Sequence, residues 1–158
     1  VLLPEAIVGE DGRCFAVDPA WRAALVAALA GPVTGGRLLS VDKPVRSPAE
    51  RRRLHGELDT IAVDMESRAI AEAAAAAGVP FLAVRAIADT ADSTIPSAAL
   101  RGVDRYGRLR PIAMITALAR APAAVPDLLR LGRVFRRALA ALRASAGATG
   151  PRLGLPAA

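Results

Sequence analysis

Two groups of acidic side chains follow two short apolar segments near the middle of the chain. Asp64 and Glu66 come directly after the run TIAV. Asp89 and Asp92 follow the run VPFLAVRAI. Ligands of open parallel sheets bind at the carboxyl ends of the strands, so two neighbouring strands would bring both groups to one pocket. Paired carboxyl groups can cleave a bond together: one donates a proton to the leaving group, and the other stays ionised and accepts hydrogen bonds from hydroxyls.

The same acids also have structural interpretations. Glu66 in the first turn of a helix would complement the helix dipole. Asp89 and Asp92 would serve as ordinary loop and cap residues. The pattern alone therefore leaves the catalytic and the structural interpretation open.

The segments around these acids predict a βαβ unit. Residues 60–63 suit a strand that is buried on both faces. Residues 65–77 are alanine-rich and predict a helix that ends at Gly78, and residues 79–87 are again strand-like. A strand, a helix and a strand joined by short connections imply a parallel sheet with a right-handed crossover.

Upstream segments add strands and helices to this unit. Residues 5–8 and 13–17 predict two extended segments around a turn, and residues 37–41 predict a further strand. Asp18 and Ser47 each precede a proline and predict the N-caps of two helices, the second of which is very basic and ends at Gly56.

The C-terminal third predicts a polar loop, two helices and a disordered tail. The loop covers residues 88–108, and the helices cover residues 109–120 and 126–145. Residues 147–158 are rich in Gly, Pro and Ala and are expected to be disordered. The second helix carries an inward apolar stripe of Leu128, Leu131, Phe135, Leu139 and Leu142.

Composition excludes several classes of protein. The chain of 158 residues has 53% hydrophobic residues, enough for one domain with a core, and no apolar run long enough to span a membrane. Cys14 and His55 are the only residues of their types, which excludes an internal disulfide and argues against a zinc site. This composition suits the cytoplasm. The net charge of +6 comes mainly from arginine and no nucleic-acid motif accompanies it, so nucleic-acid binding ranks last.

Two segments together resemble the signature of the purine and uridine phosphorylase superfamily, which includes the methylthioadenosine/S-adenosylhomocysteine nucleosidases. They are AVDMES at residues 62–67 and GVPFLAVRAIADTAD at residues 78–92. The flanks LPEAIV and LSVDKPV and the Leu- and Arg-rich C-terminal helix resemble the hopanoid-associated phosphorylases more closely. The resemblance implies a three-layer α/β/α fold with a mixed, largely parallel sheet. It also implies phosphorolytic release of adenine from adenosylhopane, with inorganic phosphate as co-substrate and without a cofactor or metal.

The resemblance also assigns roles to individual residues. It implies that Asp89 protonates or hydrogen-bonds N7 of the purine, that Glu66 holds the ribose 2′ and 3′ hydroxyls, and that Met65 packs on the sugar. Pro44 and Val45 match the segment that lines the base.

Other expectations concern the whole protein. Ser40 is expected either to contact phosphate or substrate or to be structural. The superfamily's first strand and glycine-rich phosphate loop have no counterpart here, so we expect residues 1–146 to be a partial domain of an N-terminally truncated chain.

We also expect a homo-oligomer. The basic C-terminal helix packs on the sheet or a subunit, or else contacts a membrane surface. The rival functions are hydrolysis by water and a non-catalytic binding or assembly module.

Overall fold

A four-stranded mixed sheet forms the centre of the computed structural model, which describes residues 1–45, 47–87, 116 and 125–155. The strand order is β2-β1-β3-β4; β1 and β2 form an antiparallel hairpin, and β1, β3 and β4 run parallel. This arrangement confirms the predicted α/β fold with a mixed, largely parallel sheet. The strands are β1 (Ala6–Gly9), β2 (Cys14–Ala16), β3 (Arg37–Ser40) and β4 (Thr60–Asp64).

The helices begin at the caps that the sequence predicts. Asp18 Oδ1 accepts a hydrogen bond from Trp21 N (2.7 Å), and Ser47 Oγ accepts one from Glu50 N (3.1 Å), so each cap satisfies a backbone donor of the first turn. Gly78 ends the third helix with φ of 62°, which a residue without Cβ adopts at low cost. The helices are α1 (Pro19–Ala28), α2 (Pro48–Leu58), α3 (Ser67–Ala77) and α4 (Val125–Thr149).

The core lies where β1 and β3 meet α3 and the N-terminal segment. Ile7 and Leu38, on adjacent strands, are fully buried and cluster with Leu2, Ala71 and Ala83. Burial of each leucine or isoleucine side chain in this cluster contributes about 1.5–3 kcal/mol to the free energy of folding. The two central strands are therefore fixed from both sides, and their carboxyl ends give the candidate site a rigid base.

Strand β4 corrects the prediction of burial on both faces. Thr60 is 3% exposed, whereas Ile61 and Val63 are 42% and 37% exposed. β4 is the last strand of the described sheet, so its side chains alternate between the core and an open face.

The predicted strand over residues 79–87 is also wrong. Within the part of the chain that the structure describes, the only β-bridge of this segment is the antiparallel one to Leu2: Leu2 N donates to Arg85 O (2.8 Å) and Arg85 N donates to Leu2 O (2.9 Å). Pro80 has no backbone N–H to donate to a ladder. On its other side Leu2 is bridged to Thr34 in parallel, so the neighbour of β4 is β3 and no βαβ pair forms with residues 79–87.

The C-terminal region is more ordered than the sequence predicts. α4 continues to Thr149, and turns follow over residues 150–154. Trp21 Nε1 donates to Leu153 O (2.8 Å), and Gly154 lies beside Leu25, so this part of the predicted tail contacts α1; residues 156–158 lie outside the described residues. The predicted loop and the helix at residues 109–120 lie outside the described residues, apart from Thr116. Among the described helices, none has the length and hydrophobicity that crossing a membrane requires.

Candidate functional site

An open cleft of about 660 Å³ lies at the carboxyl end of β4, between that strand, α2 and the start of α3. It combines an apolar wall with acidic and basic groups, the composition expected of a site for a small organic ligand. The lining residues are Val41, Pro44, Val45, Arg51, Arg52, His55, Thr60, Ile61, Ala62, Val63, Asp64, Met65, Glu66 and Ile87.

Four residues predicted to bind substrate lie together in this cleft: Pro44, Val45, Met65 and Glu66. Met65 is 47% exposed and presents its thioether at the surface of the cleft. The Glu66 side chain is exposed, and from the described residues its Oε2 accepts only a long hydrogen bond, from Met65 N (3.4 Å). The Glu66 carboxylate therefore keeps most of its capacity to accept hydrogen bonds from hydroxyl groups.

Ser40 stands apart from this group. Ser40 is 3% exposed and is not among the lining residues; its Oγ accepts a hydrogen bond from Arg68 N (3.1 Å). This contact joins the end of β3 to the first turn of α3. Asp89, the predicted proton donor, lies outside the described residues.

Asp64, the other acid at the end of β4, is committed to a hydrogen-bond network. Its Oδ2 accepts from Ser67 Oγ and from Arg85 Nε (2.9 Å), and Arg85 Nη2 also donates to Ser67 Oγ (2.7 Å). The Asp64 side chain is 11% exposed. The network ties the end of β4 to the segment that leads into Ile87, and so it fixes two walls of the cleft.

The electrostatics of Asp64 make it an unsuitable proton donor. Burial alone would raise its pKa, but hydrogen bonds from Ser67, Arg85 and Ser40 outweigh burial and hold the pKa of Asp64 below its usual value. The carboxyl is therefore ionised at neutral pH. The sequence pattern grouped Asp64 with Glu66. In the structure, Asp64 is bound in a network that stabilises the fold, whereas Glu66 faces the cleft.

We predict that Asp64→Asn lowers the free energy of unfolding by about 2 kcal/mol at pH 7, because the charge of Arg85 loses its partner in a partly exposed pair. A carboxyl whose folded-state pKa is lowered stabilises the fold above its unfolded pKa of about 3.9 and loses that contribution as pH falls through the folded value. The difference in free energy of unfolding between variant and wild type, measured with urea, should therefore be constant from about pH 7 to 5 and shrink below about pH 4. Asp42→Asn, at a side chain that is 77% exposed, is the control. A gap that does not change below pH 4 would contradict the assignment.

The basic side of the cleft was not predicted as part of the site. Arg51, Arg52 and His55 line it, and Arg51 Nε donates to Val45 O (3.2 Å), which fixes the segment that contains Pro44. Spacing was the available signal, because residues i, i+1 and i+4 of a helix share one side. His55 Nδ1 lies 2.7 Å from Thr60 O. A carbonyl oxygen only accepts, so Nδ1 carries a proton.

The described residues contain no cluster of three His, Cys, Asp or Glu side chains that could hold a metal ion. The chemistry available in the described part of the cleft is therefore that of a carboxylate, a thioether, two guanidinium groups and an imidazole. These groups can hold hydroxyls, pack on a ring and attract an anion.

Comparison with known proteins places this geometry in a family. A 56-residue segment is 39% identical to 5′-methylthioadenosine/S-adenosylhomocysteine nucleosidase of Mycobacterium bovis, and it covers 35% of this chain and 22% of that protein. The fold resembles a Streptococcus pneumoniae MTA/SAH nucleosidase solved with 8-aminoadenine (TM-score 0.57, 20% identity, 93% of this chain and 60% of that one). It also resembles the Neisseria meningitidis nucleosidase solved with methylthio-immucillin-A (TM-score 0.53, 24% identity, 58% and 48%).

These relatives are longer than the region they share with this chain: the chain spans 60% and 48% of the two solved structures. At these identities the structural likeness establishes the fold. The sequence pattern of the phosphorylase superfamily matches residues 5–119, which is more than half of the chain and includes the lining of the cleft. The chain therefore belongs to the phosphorylase superfamily.

Proposed function

We propose that the protein cleaves the N-glycosidic bond of an adenine nucleoside in the cleft at the end of β4. The observation that carries the proposal is the convergence of Pro44, Val45, Met65 and Glu66 on one cleft, in a chain of the phosphorylase superfamily. Two relatives add support, since one was solved with 8-aminoadenine and the other with methylthio-immucillin-A.

The chemistry of the reaction gives each group a task. Departure of the purine leaves positive charge on the ribose ring and negative charge on the base. Glu66 would hold the 2′ and 3′ hydroxyls, and its charge would favour the cationic sugar. Met65 would pack on the ribose, while Pro44 and Val45 would line the base. Asp89 would supply the proton or hydrogen bond to N7 that makes the base a better leaving group.

The acceptor of the ribosyl group is proposed to be inorganic phosphate. Arg51, Arg52 and His55 line the same cleft as Glu66, and guanidinium groups are well suited to bind phosphate oxygens. Hydrolysis is the second candidate, because the relatives named above are nucleosidases.

The group on the ribose 5′ carbon is proposed to be apolar. Ile61 and Val63 are exposed side chains of the cleft and offer an apolar wall without hydrogen-bonding groups. Such a wall suits the hydrocarbon of adenosylhopane, the substrate expected from the resemblance, and it also suits a methylthio group. Adenosylhopane is the proposed substrate; a homo-oligomer and a cytoplasmic location, peripheral at the inner membrane face, are proposed with it.

Adenine release by the whole protein, with and without phosphate, tests the reaction type. We expect release from adenosylhopane to require phosphate, and Arg52→Gln to raise the KM for phosphate about tenfold or more, since an ionised hydrogen bond contributes about 1.5–3 kcal/mol. Arg53→Gln, on the same helix but not lining the cleft, is the control. Phosphate-independent release from methylthioadenosine would replace phosphorolysis by hydrolysis. No adenine from either nucleoside would leave the protein as a binding or assembly module.

A further inference from the structure

α4 carries an apolar face that no other described element covers. Val125 is 41% exposed, Leu129 57%, Phe135 59% and Leu139 36%. The sequence pattern predicts that Phe135 and Leu139 face inward, and the structure corrects this. The inward side of α4 instead carries small side chains such as the buried Ser145, which allow the helix to lie close to the rest of the chain.

The exposed apolar residues share one side of the helix. At about 100° per residue, the four side chains of this apolar face fall within an arc of about 120°. Ser145, on the buried side, is about 140° from the middle of that arc. The apolar face therefore points away from the body of the domain and lies along much of the length of α4.

Within the described part of the chain, the charged side chains next to this face are arginines. α4 has one acidic residue, Asp127 near its start, and no Asp or Glu follows it as far as Ala158. α1, which α4 contacts, has Arg22 as its only charged residue. At about 100° per residue, Arg136 and Arg143 fall within the arc of the apolar face, and Arg133 lies about 40° beyond its edge; all three are exposed.

We propose that the apolar face of α4 docks on the surface of an anionic lipid bilayer. A partner must cover large apolar side chains and neutralise arginines spread along the same helix. A bilayer interface offers acyl chains and anionic headgroups together, and basic amphipathic helices lie in its plane. The long arginine side chains can reach the headgroups while Phe135 and Leu139 enter the acyl boundary.

Other partners fit these observations less well. Two copies that paired through this face would bring Arg133, Arg136 and Arg143 of each helix close to those of the other, and like charges repel. A nucleic acid would neutralise the arginines, but it would leave Leu129 and Leu139 without an apolar environment. The proposal does not depend on the reaction in the cleft, because it uses none of the lining residues.

Flotation of the whole protein with vesicles tests the proposal. We expect binding to mixed phosphatidylcholine–phosphatidylglycerol vesicles and little binding to phosphatidylcholine alone. Phe135→Ser with Leu139→Ser should weaken binding at least about tenfold, because apolar area no longer enters the bilayer. Arg136→Gln with Arg143→Gln should weaken it by about fivefold for each charge, and added salt should weaken it further.

Matched variants on other surfaces of the protein serve as controls. Ile70→Ser, at a side chain that is 54% exposed on α3, and Arg13→Gln with Arg53→Gln should retain wild-type vesicle binding. Circular dichroism should show that all variants are folded. Absence of wild-type binding to anionic vesicles would overturn the proposal. So would an equal loss in the control variants, or a change from oligomer to monomer on replacing Phe135 and Leu139 without any effect on vesicles.

Discussion

Asp89→Asn is expected to lower kcat for adenine release by about 100-fold or more while leaving the fold intact. General acid catalysis by a positioned side chain contributes about 10²–10⁴-fold, and an amide cannot donate the proton that the purine leaving group needs. Asp64 does not suit this role, because it is ionised and already accepts hydrogen bonds from Ser67 and Arg85. Steady-state release of adenine, with circular dichroism to check folding, measures the effect.

The matched control for Asp89→Asn is Asp59→Asn. Asp59 caps α2 with φ of 50°, a conformation that asparagine also adopts, and it does not line the cleft. A wild-type rate for Asp89→Asn would remove the proton-donor role. The pH profile adds a second readout: the limb of kcat that reports the acid should disappear in the variant.

Glu66→Gln is expected to lower kcat/KM for the nucleoside about 10- to 100-fold, with KM raised and kcat lowered together. A hydrogen bond to an ionised acceptor contributes about 1.5–3 kcal/mol, and the charge also favours the cationic sugar of the transition state. Folding should be unaffected, since Glu66 is exposed and, among the described residues, its contact is the long hydrogen bond from Met65 N. Initial rates over a range of nucleoside concentrations separate the two parameters.

Two comparisons distinguish this role of Glu66 from a general effect of charge. Glu72→Gln removes an acid from the same helix, where it pairs with Arg13 at 2.9 Å, and should leave kcat/KM unchanged. Glu66→Gln should lower kcat/KM less for a 2′-deoxynucleoside than for the ribonucleoside. Equal losses for both substrates would contradict the assigned contact with the ribose hydroxyls.

Local signals predicted most of the secondary structure. Asp18 and Ser47 cap the helices that they were expected to cap, and Gly78 ends α3 in the left-handed conformation. These features depend on side chains and backbone groups within a few residues of each other, so the sequence contains the whole interaction. The same holds for the short hairpin of β1 and β2.

Features that depend on distant neighbours were predicted less well. The apolar run of β4 suits a central strand, but its burial is decided by which strands lie beside it. Residues 79–87 have the composition of a strand, yet within the described residues their β-pairing is limited to a bridge between Arg85 and Leu2. In α4 the predicted apolar stripe is only partly inward: Leu131 and Leu142 are half-buried, whereas Phe135 and Leu139 are exposed.

The candidate site shows the same division. Met65 and Glu66 could be predicted because they follow directly on a strand within a recognisable motif. The contribution of α2 was missed although the spacing of Arg51 and His55 indicates a shared helix side; the spacing does not show that this side faces the cleft beside Val45. The pairing of Asp64 with Arg85 could not be predicted either, because Arg85 is 21 residues away in sequence.

A crystal structure of the whole protein with a non-cleavable adenine nucleoside analogue tests the central claim most directly. We predict that the analogue occupies the cleft at the end of β4. The Glu66 carboxylate should lie within hydrogen-bonding distance of the ribose 2′ and 3′ hydroxyls, with Met65 against the sugar and Pro44 and Val45 beside the base. An analogue bound elsewhere, or bound in the cleft with its ribose away from Glu66, would contradict the account.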